Sequence, residues 1–164
     1  KTMEWIEKLK QESKKNGTVG CVVLDKQGNL TAGTSTGGMF KKRWGRIGDS
    51  PVIGAGTYAD NNSCAVSCTG HGEYFIRHAV AFDVCARYKY LKESVEKAAD
   101  YIIHTELNTN AGNGGLIAVD KLGNIAMPYN SGGMFRGFLY KEKGRPEIKK
   151  GCGIGKKIVV VGEK

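Results

Sequence analysis

Apolar residues along the chain follow two different spacings, and each spacing predicts one kind of element. Over residues 3–15 the apolar side chains recur at near-helical intervals between lysines and glutamates, which predicts a short amphipathic helix ended by Asn16-Gly17. From Val19 to Asp25 the chain is apolar at almost every position. A polar turn at residues 26–29 then leads into a weakly alternating stretch at residues 30–36. This second pattern predicts a β-hairpin.

The same hairpin pattern returns later in the chain. The segment GCVVLDKQGNL, which starts at Gly20, aligns without gaps on GLIAVDKLGNI, which starts at Gly115. Glycine and asparagine recur in the turns because they tolerate the positive φ angles that such turns require. The strands before both turns are apolar at nearly every position. We therefore predict that they are buried on both faces, in sheets covered by other layers.

Between the two hairpins, the pattern predicts one more strand and two helices. A glycine-rich loop region at residues 37–60 precedes a strand at Cys64 to Thr69, and helical stretches follow at residues 72–90 and 94–104. The first helix is apolar on most faces, so we expect it to be buried. After Tyr140 the periodicity is lost, which predicts an irregular or disordered tail. This order indicates an α/β architecture with helices packed on largely antiparallel sheets.

The charge of the chain is concentrated at its two ends. Of the formal +9, residues 141–164 carry +5, residues 1–17 carry +2, and residues 18–140 carry the remaining +2. Basic residues do not form a stripe with interleaved aromatics, so we predict a solvated tail and no nucleic-acid partner. The longest apolar runs have four or five residues, too few to span a membrane. The 164 residues fit one domain.

The cysteines and histidines do not form a metal-binding pattern. Five cysteines without tight spacing lie mostly in apolar surroundings, as expected for buried reduced thiols of a cytoplasmic protein. Cys64, Cys68 and His71 superficially look like ligands, but no second ligand pair follows at zinc-like spacing. We predict core cysteines, no metal and no cofactor in this chain. His78 is interpreted as a hydrogen-bonded core residue and His104 as the end of its helix.

Four polar segments at strand ends and in loops are candidates for chemistry. They are Thr18, residues 34–38, residues 45–50 and residues 69–72. Taken singly, each has a structural explanation, because threonine is favourable in strands, loop charges can pair and glycines can end a strand. None carries a Walker lysine, the third glycine of a dinucleotide fingerprint or a G-x-S-x-G elbow.

Taken together, the segments resemble one family. NGTVGCVVLD, TSTGG, GRIGDSPVIGAGTYADN, TGHGE, GGLIAVD and AMPYNSGGMFR follow one another in order. They resemble the β-subunit of the plant-type L-asparaginases, or isoaspartyl peptidases, which are N-terminal-nucleophile hydrolases. The resemblance implies an αββα sandwich, of which this chain covers mainly the β-subunit half. Residues 1–17 would be helix and linker from the end of the α-subunit region, residues 18–140 the catalytic half, and residues 141–164 a basic tail.

The resemblance implies that the precursor cuts itself between Gly17 and Thr18, and that the freed Thr18 is the nucleophile. A threonine hydroxyl is a poor nucleophile until a base takes its proton. The α-amine of an N-terminal threonine, with a typical pKa of about 7.7–8.0, can be that base. Thr36 is implied to support the Thr18 hydroxyl.

The remaining implied roles concern the substrate. Arg46 would bind its α-carboxylate and Asp49 its α-amino group. Thr69 and the backbone N–H of Gly70 would face the oxyanion of the tetrahedral intermediate, with Gly72 in the same substrate-binding segment. The implied reaction is hydrolysis of L-asparagine, or of a β-aspartyl peptide bond, through an ester on the nucleophilic threonine.

The resemblance also implies partners and leaves alternatives open. A small-molecule or dipeptide substrate, the α-subunit half of the same precursor and an (αβ)2 dimer are implied, with a structural Na+ or K+ in the α-subunit. The glycosylasparaginase branch typically has TSTNG and TGDGD where this chain has TSTGG and TGHGE, so the asparaginase branch is favoured. A catalytically inactive fragment, or a binding module lacking the α-subunit, is the alternative from another class.

Overall fold

The computed structural model describes residues 17–39, 41–142, 145–151 and 157–161. The helix predicted at residues 3–15 lies outside them. The strands are β1 (Thr18–Leu24), β2 (Leu30–Thr36), β3 (Thr57–Ala59), β4 (Cys64–Gly70), β5 (Gly114–Asp120), β6 (Ile125–Ala126), β7 (Arg136–Glu142), β8 (Arg145–Gly151) and β9 (Lys157–Val161). The helices are α1 (Gly72–Arg77), α2 (Val80–Tyr90), α3 (Val95–Tyr101) and a π-helix (Ile102–Leu107).

The strands form two sheets. The order of the first is β2-β1-β9-β7-β8, and the order of the second is β3-β4-β5-β6. The second sheet is antiparallel throughout, as predicted. The first sheet is mixed, because β9 runs parallel to both of its neighbours, β1 and β7.

The segment after Tyr140 differs from the prediction of an irregular tail. It contributes β8 and β9, and β9 lies between β1 and β7 in the first sheet. β9 is the mostly β-branched run KIVVV, a composition that favours a strand. The lysines on either side of it obscure this signal in the sequence. Its pairing partners lie far away along the sequence, which a local pattern does not reveal.

The second sheet is covered on both faces. Successive side chains of a strand point to opposite faces, and the two faces of this sheet belong to two core clusters. One cluster joins alternate residues of β4 and β5 to the helices, and it includes Cys64, Val66, Cys68, Leu116, Ala118, Phe75 and Ile102. The other joins the intervening residues to the first sheet, and it includes Ala65, Ile117, Val119, Val22, Leu24 and Leu30.

These clusters define layers in the order sheet, sheet, helix within the described residues. Every residue of β5 is buried, which confirms the two-sided burial predicted for the second hairpin. The prediction is wrong for β1, where burial alternates: Val22 and Leu24 are buried, but Val19 is half exposed. One face of β1 packs on the second sheet, and the other keeps the partly exposed Cys21 and Val23.

The two repeated turns are built in the same way. The Asp25 carboxylate accepts hydrogen bonds from the backbone N–H groups of Gln27 and Asn29, at 2.8 and 2.7 Å, and from the Asn29 side chain. Asp120 makes the equivalent three bonds to residues 122 and 124, at 2.8, 2.9 and 2.8 Å. Gly28 and Gly123 have positive φ angles of 87° and 89°. The repeat seen in the sequence is therefore a repeat of turn geometry, one copy in each sheet.

We expect Asp120→Ala to destabilise the protein by about 3 kcal/mol, because it leaves two backbone N–H groups without their acceptor beside a fully buried strand. Asp120 is 1% exposed, whereas the turn at Asp25 is open to water. Asp25→Ala is the matched control and should cost clearly less. Denaturant unfolding of both variants checks this. Equal losses of unfolding free energy in the two variants would show that burial does not determine how much these turns stabilise the protein.

The helix predicted over residues 72–90 is interrupted. It ends at Arg77, and Ala79 adopts a left-handed conformation with φ of 45° before α2 begins. The interruption frees two N–H groups at the start of α2, and they donate to loop carbonyls: Ala81 to Ala55 at 3.1 Å and Phe82 to Gly54 at 2.8 Å. The break thus fastens the helical layer to the loop that precedes β3. Alanine carries no sequence signal for such a break.

The second helix, predicted over residues 94–104, also ends at a different residue from the predicted one. Ser94 caps α3, as its side chain accepts a hydrogen bond from Lys97 N–H. The chain then continues as the π-helix to Leu107, with Ile102, Ile103 and Leu107 buried. His104 therefore does not end the helix. Its Nδ1 lies 2.8 Å from an Asp100 carboxylate oxygen on the exposed face.

Three of the four cysteines that the structure describes occupy the core, as predicted, and the prediction is wrong for Cys21. Cys64, Cys68 and Cys85 are buried, and the thiols of Cys64 and Cys85 lie 2.7 Å apart. Cys21 is half-buried, and burial raises the pKa of its thiol. Among the described residues, no helix combines the length and the apolar composition that a membrane crossing requires.

Candidate functional site

The predicted site residues converge on one cleft of about 680 Å³. Its walls come from the start of β1, the end of β2, the loop between β2 and β3, and the end of β4. Six of the predicted residues line it: Thr18, Thr36, Arg46, Asp49, Thr69 and Gly70. The other two lie beside it, since Gly17 precedes Thr18 and Gly72 packs under Asp49. The fold therefore brings together side chains that the sequence keeps in four separate segments.

Thr18 and Thr36 face each other at the open end of the first hairpin. Antiparallel pairing sets the first residue of β1 opposite the last residue of β2. Thr18 Oγ1 donates a hydrogen bond to Thr36 Oγ1 at 3.2 Å, and Thr36 Oγ1 also accepts the N–H of Gly38 at 3.0 Å. Thr36 is thus held by the chain that follows it, with its oxygen against the Thr18 hydroxyl.

Gly17 lies exposed in front of this pair. A Cβ added at Gly17 would meet no atom within 4 Å. Among the described residues, nothing therefore crowds this position in a way that would require glycine.

Arg46 reaches the cleft from the loop between β2 and β3. Its Nε and Nη2 both donate to Glu73 Oε1, at 3.0 and 2.8 Å. The Arg46 side chain is 20% exposed and that of Glu73 is 54% exposed. Two hydrogen bonds hold the pKa of Glu73 below its usual range. The larger effect comes from its own backbone N–H, and the next largest comes from Arg46. Glu73 is therefore a carboxylate at neutral pH.

Asp49 lies deeper in the same loop and is buried. Its backbone carbonyl accepts the N–H groups of Val52 and Gly56, at 3.0 and 3.1 Å, which folds the loop into a tight turn around it. Neither Gly56 nor Gly72 could carry a side chain here. A Cβ at Gly56 would lie 2.6 Å from the Asp49 carbonyl carbon, and one at Gly72 would lie 2.8 Å from Asp49 Oδ1. These two glycines make the room for the carboxylate.

Gly70 ends β4 where the backbone of β5 passes close by. A Cβ at Gly70 would lie 2.3 Å from the carbonyl oxygen of Asn113, 2.6 Å from the Phe75 ring and 2.8 Å from Gly114 Cα. The next N–H, that of His71, donates to the same Asn113 oxygen at 2.9 Å. Thr69 and Gly70 are therefore fixed at the rim of the cleft by the adjacent strand.

A group of hydroxyls that connects the cleft to the second sheet was not predicted. Thr34 Oγ1 lies 2.6 Å from Ser67 Oγ on β4, and Thr57 of β3 donates to Thr34 in a very short hydrogen bond. Thr57 also reaches the carbonyl of Ser50 at 3.3 Å. These bonds link three strands to the loop that carries Asp49. The signal was available, since Thr34 and Thr36 are two residues apart on one strand and share a face.

Four further polar side chains line the cleft without a role predicted from the sequence. They are Ser35 of β2, Lys42 and Ser50 of the loop, and His71, the residue before α1. His78, interpreted as a core residue, is partly exposed and lies 3.2 Å from a Glu106 carboxylate oxygen. Within the part of the chain that the structure describes, no group of three or more His, Cys, Asp or Glu side chains could hold a metal ion.

Known proteins resemble this chain over most of its length. The profile of the family described as asparaginase matches residues 2–147. The isoaspartyl peptidase of Salmonella typhimurium is 54% identical over 129 residues, which cover 79% of this chain and 41% of that protein. The isoaspartyl peptidase of Escherichia coli is 49% identical over 143 residues, or 81% of this chain and 44% of that protein.

A plant relative resembles the chain to a similar degree. The probable isoaspartyl peptidase/L-asparaginase 2 of Arabidopsis thaliana is 53% identical over 120 residues, which cover 73% of this chain and 36% of that protein. The chain thus spans about two fifths of the length of the curated relatives that it matches. On the profile match and these identities, the chain belongs to the asparaginase family.

Proposed function

We propose that this chain is the catalytic half of an amidohydrolase that acts on L-asparagine, β-aspartyl peptides or both. The proposal rests on one observation, which is that four side chains line the same cleft. They are Thr18 at the start of β1, Thr36 hydrogen-bonded to it, the buried carboxylate of Asp49 and the guanidinium of Arg46. The names of the relatives, isoaspartyl peptidase and L-asparaginase, support the substrate class.

The first step of the proposed mechanism frees the nucleophile. Thr18 Oγ1 attacks the carbonyl carbon of Gly17, the Gly17–Thr18 C–N bond breaks, and the departing nitrogen takes up the hydroxyl proton. An ester on Thr18 thus replaces the amide. Water then hydrolyses that ester, which leaves a carboxylate on Gly17 and a free α-amine on Thr18. The amine matters because an amide nitrogen cannot accept the proton of the hydroxyl, whereas an amine near its pKa can.

The second step is hydrolysis of the substrate. The Thr18 α-amine takes the hydroxyl proton, and Oγ1 attacks the side-chain carbonyl carbon of the aspartyl group. Thr69 and the Gly70 N–H stabilise the oxyanion that forms. Collapse breaks the C–N bond, and the departing ammonia or amine takes the proton from the α-amine. Water then hydrolyses the β-aspartyl ester, which releases L-aspartate and restores Thr18.

The substrate is oriented by its two other charged groups. An aspartyl skeleton carries one carboxylate and one ammonium group at its α-carbon. Arg46 and Asp49 offer the opposite charges three residues apart in the same loop, and both border the space above Gly72. A fixed pair of this kind recognises the α-carbon and leaves the side-chain carbonyl facing Thr18.

The rest of the protein would complete the sandwich and the assembly. Large apolar side chains around the cleft are open to water, with Trp44 98%, Ile47 67% and Ile53 83% exposed. An α-subunit half of the same precursor, and a second copy in an (αβ)2 dimer, would cover such a surface and add the fourth layer of the αββα fold. Any structural Na+ or K+ would belong to that half, with no cofactor in this chain.

The proposal is tested by assaying the full-length protein on L-asparagine, β-aspartyl-leucine and a glycosyl-asparagine side by side. We expect hydrolysis of at least one of the first two, with L-aspartate as the product. Activity on the glycosylated substrate alone would replace the proposal with the glycosylasparaginase alternative. No activity on any of the three, from protein that begins at Thr18, would favour the inactive or binding module.

A further inference from the structure

Arg46, the residue proposed to bind the substrate α-carboxylate, has to be oriented by the contacts of its side chain. It lies in the loop between β2 and β3, so no backbone ladder fixes it, and an unrestrained arginine loses rotamer entropy when a ligand fixes it. Yet its side chain is only 20% exposed. Whatever orients it before the substrate arrives therefore contributes directly to substrate binding.

The contacts of the guanidinium identify what orients it. Glu73 accepts from Nε and Nη2 with a single oxygen, at 3.0 and 2.8 Å. The two glycines beside it bound the space available, since a Cβ at Gly48 would lie 2.7 Å from Nη1 and one at Gly72 would lie 3.2 Å from Nη2. The side chain is thus held on one edge by a carboxylate and enclosed by backbone on either side.

This arrangement leaves some N–H donors of the Arg46 guanidinium that Glu73 does not use. A guanidinium has five N–H donors in a fixed plane, and Glu73 engages two of the nitrogens. Glu73 itself does not line the cleft, whereas Arg46 does. The donors that Glu73 does not use include both N–H groups of Nη1, and a planar guanidinium can present such donors to a carboxylate while its other edge is bound.

We propose that Glu73 is a positioning residue, which holds the Arg46 guanidinium so that its remaining N–H groups bind the α-carboxylate of the substrate. The inference rests on the proposed function of the cleft and adds a residue to it. Glu73 contacts neither the substrate nor the reacting atoms in this account, and it acts only through Arg46. Its low pKa, caused by its own backbone N–H and by Arg46, keeps it charged for this purpose at neutral pH.

Measuring KM and kcat separately distinguishes a positioning role of Glu73 from a general structural role. In the full-length protein we expect Glu73→Ala to raise the KM for β-aspartyl-leucine about 10- to 100-fold, because a charge-assisted hydrogen bond pair is lost. kcat should change less than about threefold, since the bond is present in both the bound substrate and the transition state. Glu73→Gln, which keeps an acceptor oxygen, should fall between wild type and Glu73→Ala.

The matched control is Glu93→Gln. Glu93 accepts from Arg87 Nε at 2.9 Å in an ion pair on the helical layer, and neither residue lines the cleft. This variant should leave KM and kcat unchanged. Equal kinetics for wild type and Glu73→Ala, or a loss confined to kcat, would overturn the inference while leaving the proposed function standing.

Calorimetric binding of L-aspartate supplies a readout that does not need hydrolysis. If the wild-type protein hydrolyses none of the substrates but binds L-aspartate, and Glu73→Ala weakens that binding 10-fold or more, the inference stands and the proposed function fails. If wild type neither hydrolyses the substrates nor binds L-aspartate, both are overturned.

Discussion

Replacing Thr18 by alanine is expected to abolish both cleavage before residue 18 and hydrolysis of aspartyl substrates. The alanine variant keeps the backbone of β1 and loses the γ-methyl group and the hydroxyl that donates to Thr36 at 3.2 Å. Without that hydroxyl neither the attack on Gly17 nor the attack on the substrate has a nucleophile. We expect hydrolysis to fall by at least about a thousandfold, as for other enzymes whose covalent nucleophile is removed.

Serine at the same position is the matched control. Thr18→Ser keeps a hydroxyl on the same atom and should therefore retain cleavage and measurable hydrolysis. Both variants should unfold within about 1 kcal/mol of wild type, because Thr18 lies at the edge of the first hairpin, away from the buried core. If Thr18→Ala is cleaved and hydrolyses substrate like wild type, Thr18 is not the nucleophile, and the binding-module alternative gains support.

The second large effect is expected from Gly70→Ala. The added methyl group would lie 2.3 Å from the Asn113 carbonyl oxygen and 2.8 Å from Gly114 Cα, which are backbone atoms just before and at the start of the neighbouring strand β5. Backbone cannot rotate away as a side chain can, so β4 and β5 must separate where they flank the cleft. We expect a loss of about 3 kcal/mol or more in the free energy of unfolding. In the folded fraction, kcat should fall about 100-fold or more, because the Gly70 N–H moves from the oxyanion.

Gly33→Ala provides the comparison for this variant. Gly33 lies in β2, and a Cβ there would meet no atom within 4 Å. Its stability should remain within about 1 kcal/mol of wild type. Soluble Gly33→Ala beside insoluble Gly70→Ala would be the strongest form of the expected result. A Gly70→Ala protein with wild-type stability and kcat would contradict the close approach of β4 and β5 at this point.

Local sequence chemistry predicts the parts of this fold that local interactions build. The two turns illustrate this, because aspartate, glycine and asparagine at fixed offsets determine the carboxylate cap and the positive φ of Gly28 and Gly123. The strand at Cys64 and the burial of its thiols could also be predicted from the sequence, because the segment consists of small and mostly apolar residues.

The sequence did not predict the features of the fold that depend on contacts between residues far apart along the chain. The break at Ala79 forms because the start of α2 bonds to the carbonyls of Gly54 and Ala55, which lie more than twenty residues earlier. The pairing of β9 with β1 and β7 likewise has no local signal. At the site, TGHGE was noted as a motif, yet the role of Glu73 appears only when the fold brings Arg46 within 2.8 Å of it.

We propose that this chain becomes a catalyst when the bond before Thr18 breaks. The intact mass of the full-length protein, with N-terminal sequencing of its fragments after incubation at neutral pH, tests this directly. We expect two fragments, one of which begins with the sequence TVGCVVLD at Thr18. An uncut, folded protein that still hydrolyses β-aspartyl-leucine would contradict it.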